Sequence, residues 1–400
     1  MTDNLLPITI SLPQHPPKIY TTSFWLLCLS SLLFFASFNM IIPELPDYLT
    51  ALGGADYKGL IISLFTVTAM VSRPFSGKLA DTIGRVPVMI FGAAVCFVCS
   101  LFYPIIATLS GFFLLRLVHG FSTGFTPTGT TAYLADIIPF HKRGEAMGLL
   151  GTAGSVGMAL GPAVGGTIAN QFGLDAMFYC SSFFGLVAII ILLRTKETVP
   201  KKEKFSIGLL KVKKEDIFEP LVWMPCLIMV LVAFSYGAVF TIIPDFGQFV
   251  GIKNKGLLFT FLTIASLLVR LLAGKASDRY GRVEVLRVST LLIVVAMIIV
   301  GMASTPLMLI IGVTLYGFAQ GSTSPTLLAW ATDLSDDRFK GRGIASVYIF
   351  MELGIGLGAL CSGWMYGNQS DNFFITFLIS GLLSAFAFAY LIYHSVKRGK

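Results

Sequence analysis

Apolar residues fall in long runs along this chain, and short polar stretches separate the runs. Each run is roughly 20 residues long, which is the length of helix that crosses a hydrocarbon core of about 30 Å. The pattern therefore predicts about twelve membrane-spanning helices in an all-α fold. Their centres lie near Leu33, Thr68, Val95, Val118, Met158, Leu186, Val232, Leu262, Val294, Val313, Ile355 and Leu383.

One charged stretch, residues 194–219, is much longer than the other polar breaks. It divides the predicted helices into two groups, and we interpret it as a cytosolic linker. The residues before the first run contain four prolines and no signal-peptide pattern, so we expect an uncleaved first helix. The predicted organisation is a cytosolic tail (1–21), a six-helix bundle (22–193), the linker (194–219), a second six-helix bundle (220–394) and a cytosolic tail (395–400).

A short charged loop occurs twice in the chain. The segment GKLADTIGRV spans residues 77–86, and GKASDRYGRV spans residues 274–283, which lie 197 positions later. Other residues repeat at the same offset, namely Gly59 with Gly256, Arg73 with Arg270, Gly120 with Gly317, Asp136 with Asp333 and Gly161 with Gly358. Glu44 and Asp245, which each follow an Ile-Pro pair, repeat at an offset of 201. The chain is therefore predicted to be an internal duplication of two parallel six-helix units.

Composition and charge agree with a membrane protein and fix its predicted orientation. The chain is 55% hydrophobic and 12% charged, with a mean hydropathy of +0.80. If the N-terminal tail is cytosolic, Lys58, Lys253 and Lys255 are the only cations in outer loops, as the positive-inside rule requires. This topology accounts for the net charge of +8 without nucleic-acid binding. We expect both termini to be cytoplasmic.

The repeated loop and its surroundings resemble those of the major facilitator superfamily of transporters. Its pattern G-x-L-A-D-x-x-G-R is matched in the first copy, and most of it is kept in the second. The matching residues are Gly77, Asp81, Gly84 and Arg85, then Gly274, Asp278, Gly281 and Arg282. The resemblance covers nearly the whole chain. It implies two pseudo-symmetric six-helix bundles that transport a small molecule by alternating access, as a monomer, without enzymatic activity or a cofactor.

We expect the two charged loops to act as a cytoplasmic gate. The spacing pairs Arg85 with Asp136 and Arg282 with Asp333, and Asp81 is placed to face the start of a helix around Arg342 in the other half. In related transporters such a network stabilises the state that is closed to the cytoplasm. The alternative is that these charges only flank and orient the helices.

The fifth predicted helix resembles that of exporters within the superfamily. It carries the pattern G-x-x-x-G-P-x-x-G-G, matched by Gly157, Gly161, Pro162, Gly165 and Gly166. Glycines at this spacing leave a smooth helix face, which we expect to pack against the opposite half. Together with the segments IPELP and SRPFSGKLAD, the pattern resembles bacterial arabinose and multidrug efflux permeases of the inner membrane. The resemblance implies proton antiport; the alternatives are a proton-coupled importer of sugars or organic acids and a non-transporting sensor or scaffold.

A few polar residues inside the apolar runs are candidates for coupling and substrate binding. Glu352 is the first candidate for carrying the proton, because an acid inside a bilayer is costly and rarely accidental. Arg116 is expected to act on a neighbouring acid and His119 to relay protons; the alternative for all three is a structural hydrogen bond. We expect Glu44 to be solvated at the outer mouth. The other candidates, for coupling or for lining the cavity around an amphipathic or weakly polar substrate, are Asp245, Asn39, Tyr236, Tyr316 and Gln320, with Phe38 and Phe240 beside them.

Overall fold

The fold is known from a computed structural model that describes residues 20–139, 142–200, 203–211, 217–335 and 340–398. Most of the predicted N-terminal tail, seven residues of the predicted linker and the last two residues of the C-terminal tail lie outside these ranges. The described residues form thirteen α-helices and short 3₁₀ turns, with no strand among them.

Twelve of these helices are long, and the remaining one, α2, is short. Their bounds are α1 Thr22–Ile41, α2 Leu45–Ala51, α3 Lys58–Thr82, α4 Arg85–Phe102, α5 Leu109–Ile137, α6 Arg143–Phe172, α7 Leu174–Leu193, α8 Trp223–Phe249, α9 Gly256–Tyr280, α10 Arg282–Gly301, α11 Pro306–Leu334, α12 Lys340–Tyr366 and α13 Phe373–Arg398. Ten are long and apolar enough to cross a membrane, or eleven when the two segments of α9 count as one span. The remaining long helix, α5, carries Arg116 and His119, which lower its hydropathy.

The long helices form two six-helix bundles with equivalent packing. In the first bundle α1 packs on α6 and α7, and α5 packs on α3 and α4. In the second bundle α8 packs on α12 and α13, and α11 packs on α9 and α10. The predicted fold class is confirmed by this arrangement.

Glycines at equivalent positions make the same close contacts in both bundles. A Cβ atom on Gly120 would collide with the carbonyl oxygen of Phe65, and one on Gly317 would collide with that of Leu262. Each residue of the second pair lies 197 positions after its counterpart. The internal duplication therefore preserves backbone contacts as well as residue identities, because only glycine allows helices to approach this closely.

Two interfaces hold the bundles together, α3 against α12 and α6 against α9. At the first, a Cβ atom on Gly59 would lie 2.6 Å from the carbonyl oxygen of Ala359; at the second, one on Gly256 would collide with that of Pro162. Adding 197 to Gly59 and to Pro162 gives Gly256 and Ala359, so the two crossings are equivalent.

Large apolar side chains cover the outer surface of the bundles. Trp25, Phe183, Leu268 and Phe386 are each more than half exposed, with exposed fractions of 55%, 59%, 61% and 65%. Exposed apolar surface on this scale is unfavourable in water and is matched by the lipid of a membrane. The molecule is a multi-pass membrane protein.

The linker is attached to both bundles at the end where the described chain begins, which we name the terminal end; the opposite end is the distal end. In the first bundle the Glu197 carboxylate accepts hydrogen bonds from the backbone N–H of Arg85 and Val86, at 3.0 and 3.1 Å. Lys78 donates to the carbonyl oxygen of Lys211 at 2.8 Å. In the second bundle the backbone N–H of Glu219 donates to Ser346 Oγ at 2.9 Å.

Candidate functional site

Two ion pairs join the bundles at the distal end. Lys58 binds Asp245, and both side chains are nearly buried, with exposed fractions of 11% and 7%. Lys255 binds Asp47. Lys58 and Lys255 are 197 positions apart, so the two lysines are equivalent in the internal duplication, whereas their partners Asp245 and Asp47 are not equivalent. That offset is the sequence signal for their role, which sequence reasoning missed when it placed both lysines in outer loops.

Glu44 lies beside the second of these pairs. It is 7% exposed, and its nearest charges are those of Lys255 and Asp47. The expectation that Glu44 is solvated at an outer mouth was therefore wrong. The physical reason is that the two bundles meet at the distal end and exclude water from this position.

Hydrogen bonds between the bundles reinforce the distal end. Asn254 donates to the carbonyl oxygen of Ala163 and to Thr167 Oγ1, both at 3.2 Å. Thr260 Oγ1 donates to the carbonyl oxygen of Ala159 at 2.6 Å. These contacts seal the distal part of the α6–α9 interface.

The α3–α12 interface contains an ion pair deeper in the molecule. Arg73 Nη2 lies 2.6 Å from Glu352 Oε1, and both side chains are largely buried. The guanidinium of Arg73 lies 5.0 Å from the ring centre of Tyr348, a distance at which a cation interacts favourably with an aromatic face. Between described residues of the two bundles, no hydrogen bond or ion pair lies nearer to the terminal end than this pair.

A cavity of about 310 Å³ lies between the bundles, at the level where the contacts of the two interfaces end. Its lining residues come from α6, α8, α9, α11 and α12. They are Ser155, Met158, Met229, Ala233, Tyr236, Leu262, Thr263, Ser266, Arg270, Gln320, Ser324, Tyr348, Met351 and Ile355. Arg270 is the charged residue of this described lining; the sequence analysis identified it as the counterpart of Arg73 and gave it no role.

Some of the residues that were predicted to line the cavity do so, and others are buried elsewhere in the bundles. Tyr236 and Gln320 line the cavity, as expected. Tyr316 is fully buried behind it, where its hydroxyl accepts a hydrogen bond from Gln320 at 2.6 Å and lies 3.0 Å from Ser235 Oγ. Asn39 is buried and donates to the carbonyl oxygen of Phe35 at 2.8 Å, so its amide is used within α1. Asn39 and Tyr316 are absent from the described lining.

Arg116 and His119 lie inside the first bundle and are fully buried. Arg116 Nε donates to the carbonyl oxygen of Ile61 at 2.7 Å, and its Nη1 donates to the Tyr103 hydroxyl at 3.1 Å. That hydroxyl lies 3.3 Å from His119 Nδ1. Among the described residues Arg116 forms no ion pair, so the acid expected beside it is absent in this state. Both residues connect α5 to neighbouring helices of the first bundle, and their hydrogen-bond partners do not include Glu352.

The predicted pairs Arg85–Asp136 and Arg282–Asp333 both form, and each arginine also binds the aspartate four residues before it, a pair that the sequence analysis did not predict. Arg85 binds Asp81, and its Nε donates to Asp136 Oδ2 at 3.2 Å. In the second bundle Arg282 Nη1 donates to Asp278 at 2.5 Å and its Nε donates to Asp333 at 2.9 Å. Each arginine therefore fastens the start of one helix to the ends of two others.

The glycines of the charged loops differ in whether their backbone conformation or surroundings require glycine. Gly84 and Gly281 have φ angles of 123° and 92°, in the region that side chains disfavour, and each directly precedes a helix. Gly77 and Gly274 lie within helices, and a Cβ atom on either would meet no neighbour within 4 Å.

Among the described residues, the partner of Asp81 is Arg85 of the same bundle, and the expected contact with the other bundle is not found between them. The Asp81 side chain is 70% exposed, and Arg342 Nε instead donates to Glu219 at 2.8 Å within the second bundle. The terminal ends of the bundles are thus not joined through this pair of residues.

The glycine face of α6 packs differently from our expectation. Cβ atoms on Gly157, Gly161 and Gly165 would lie against the carbonyl oxygens of Leu32, Ala36 and Met40, all in α1 of the same bundle. The predicted packing of these glycines on the opposite half was wrong. The other half is met by Gly166, which faces Asn254, and by the carbonyl of Pro162. Spacing identified a close-packed face but not the helix it faces.

Comparisons with known proteins agree with this architecture. The family model described as Major Facilitator Superfamily matches residues 27–257 and 226–400. The multi-drug resistance efflux pump PmrA of Streptococcus pneumoniae is 28% identical over 350 residues, covering 83% of this chain and 86% of that protein. The multidrug resistance protein MdtG of Enterobacter lignolyticus is 27% identical over 370 residues, covering 89% and 88%.

A solved structure shows the same fold. The crystal structure of a D-xylose–proton symporter superposes with a TM-score of 0.77 at 16% identity, over 92% of this chain and 96% of that one. With the duplicated bundles, the central cavity and the family match together, the chain belongs to the major facilitator superfamily, whose members are membrane transporters and not enzymes.

Proposed function

We propose that this protein exports a small amphipathic or weakly polar molecule across the bacterial cytoplasmic membrane in exchange for protons. The observation that carries the proposal is the central cavity between two bundles whose described residues form buried ion pairs and hydrogen bonds with each other at the distal end. A transporter in this conformation is in one state of an alternating-access cycle, in which the two bundles rock around a fixed binding site. The opposite state would seal the terminal end and release the distal pairs.

The positive-inside distribution supports an orientation in which the terminal end faces the cytoplasm. The cavity would then take its substrate from the cell interior in the present state. The glycine motif of α6, the names of PmrA and MdtG as multidrug proteins, and the largely apolar lining of the cavity support export of an amphipathic cargo.

Glu352 is the residue that we assign to proton coupling. Its carboxylate binds Arg73 across the α3–α12 interface. Protonation would remove the negative charge from this pair and weaken the tie between the bundles, so proton binding would change the relative stability of the two states. Arg116 and His119 bond within one bundle, and we assign them a supporting structural role.

We assign the charged loops to a gate that closes in the opposite state. In the present state Asp81 binds Arg85, and 70% of its side chain is exposed. Approach of the terminal ends would bring Asp81 toward the start of α12.

Transport by purified protein in proteoliposomes tests the function. Vesicles that are acidic inside should accumulate an exported drug or metabolite while their internal pH rises, and a panel of such compounds is screened. Glu352→Gln should bring accumulation to the level of empty vesicles. A matched control is Glu284→Gln, which changes an exposed acid bound to Arg287 on α10.

Accumulation only when the outside is acidic would instead identify an importer that carries proton and substrate together. Lack of movement of every compound, with or without a gradient, would favour a sensor or scaffold.

A further inference from the structure

Arg270 stands in the cavity with no partner for its charge. The residue is exposed and is one of the residues that line the cavity between the bundles. It forms no hydrogen bond or ion pair with any described residue, and the described lining contains no carboxylate. Tyr236 and Tyr348 line the same cavity. The cavity therefore carries a net positive charge.

The internal duplication shows what Arg270 lacks. Its counterpart is Arg73, which binds Glu352 across the α3–α12 interface. The residue 197 positions before Glu352 is Ser155, which lines the cavity together with Arg270. The position that supplies a carboxylate at one interface thus supplies only a small hydroxyl at the other.

An unpaired cation inside a membrane protein is energetically costly unless water or an anion compensates it. Arg270 is exposed in the present state, so water or an anionic ligand can meet its guanidinium. A guanidinium forms two parallel hydrogen bonds with a carboxylate, sulfonate or phosphate group, and these are stronger than bonds between neutral groups. A ligand with such a group would occupy the place that Glu352 occupies at the equivalent interface.

We propose that Arg270 binds the anionic head of an amphipathic substrate, which takes the place of the carboxylate missing at Ser155. This inference rests on the proposed function and narrows its substrate class. Met229, Leu262, Met351 and Ile355 provide an apolar wall for the body of the ligand, and the Tyr236 and Gln320 side chains offer further hydrogen bonds. The volume of about 310 Å³ suits an aromatic acid of modest size.

The direction of charge movement is consistent with export. A cell interior that is electrically negative favours both the exit of an anion and the entry of a proton. The cation at Arg270 and the acid at Glu352 lie at different interfaces, so substrate binding and proton carriage use separate residues.

Binding of matched probes to the purified full-length chain tests the inference without transport. The probes are 2-naphthoate, its neutral amide 2-naphthamide and the cationic 2-naphthylmethylamine, with dissociation constants measured by isothermal titration calorimetry. Wild-type protein should bind the carboxylate at least about tenfold more tightly than the amide, since a charge-assisted bidentate pair is involved. Arg270→Gln should remove this preference, and Arg287→Gln, which alters an arginine on α10, should keep it.

Two substitutions at Ser155 sharpen the test. Ser155→Glu should supply the missing carboxylate, neutralise Arg270 and abolish the preference for naphthoate. Ser155→Gln, of nearly the same size, should retain the preference, which separates charge from steric blocking. Thermal unfolding of each variant checks that the fold is kept.

Equal affinity of wild-type protein for naphthoate and naphthamide, or tighter binding of the amine, would overturn the inference. So would an undiminished preference in Arg270→Gln. If proteoliposomes fail to transport any compound while naphthoate still binds in an Arg270-dependent way, the proposed function fails and the anion site stands.

Discussion

The two interfaces between the bundles share one backbone arrangement and differ in the charges they contain. At α3–α12, Gly59 fits against the carbonyl of Ala359, and at α6–α9, Gly256 fits against that of Pro162. Nearer the middle of the membrane, the first interface contains the Arg73–Glu352 pair, whereas the second leaves Arg270 facing a cavity. The duplication preserved the crossing, and changes in a few side chains separated a closed interface from an open one.

The difference extends to a second position. Tyr348, which packs over Arg73, corresponds to Gly151 at the other interface, where a Cβ atom would meet no neighbour within 4 Å. Glutamate and tyrosine on α12 thus occupy the positions that are equivalent to serine and glycine on α6. Of these four residues, Ser155 and Tyr348 line the cavity.

Removing the acid at the closed interface should have the largest effect. Glu352→Gln leaves Arg73 without its counter-charge and removes the titratable group, so we expect proton-driven transport to fall to background while the protein still reaches the membrane. Accumulation of substrate in proteoliposomes measures the effect. Transport at the wild-type rate would show that another acid carries the proton.

The shared part of the interfaces can be broken by adding a single methyl group. Gly256→Ala places a Cβ atom against the Pro162 carbonyl, and overpacking of this kind costs about 1–3 kcal/mol. We expect transport to fall by about tenfold and thermal stability to decrease. Gly59→Ala should behave similarly, since its crossing is equivalent. Gly148→Ala on α6 is the control, because its Cβ would lie in open space; equal effects of all three would refute the crossing argument.

The proposed gate can be tested at the charged loop of the first bundle. Asp81→Asn removes the exposed charge assigned to the opposite state, and we expect transport to fall severalfold while protein level stays near normal. Lys142→Gln serves as a surface control, since its ion pair with Glu145 is exposed. The proposed gate would be ruled out if Asp81→Asn transported as fast as the control.

Substitutions in the distal ion pairs should have the smallest effect, a shift in the populations of the two states, and the shift should differ between the two pairs. Lys58→Met leaves Asp245 nearly buried without its partner and should shift the population toward the state that is open at the distal end. Lys255→Met should shift it less, because Asp47 is 44% exposed and water screens that pair. Labelling of a cysteine introduced at Asn254 reports distal opening. The reverse order of labelling rates would contradict this reading of burial.

The sequence predicted the architecture well because membrane spans and duplication leave long-range signals. The offset of 197 identified both charged clusters and pointed to the equivalence of Arg73 and Arg270. It did not reveal which helix each face meets, so Gly157, Gly161 and Gly165 of α6 were assigned to the wrong neighbour, while Gly166 does meet the opposite half. The predicted exposure of Glu44 and the predicted cavity role of Asn39 were wrong for a related reason. The exposure of a residue depends on how the helices and bundles pack around it, and the sequence of a single helix does not determine that packing.

The linker limits how far the bundles can separate at the terminal end. Its anchored residue on the first bundle, Lys211, and its anchored residue on the second, Glu219, are eight positions apart. A fully extended chain of that length spans at most ~28 Å. The connection therefore sets a maximum separation between these two anchored residues for as long as both contacts persist.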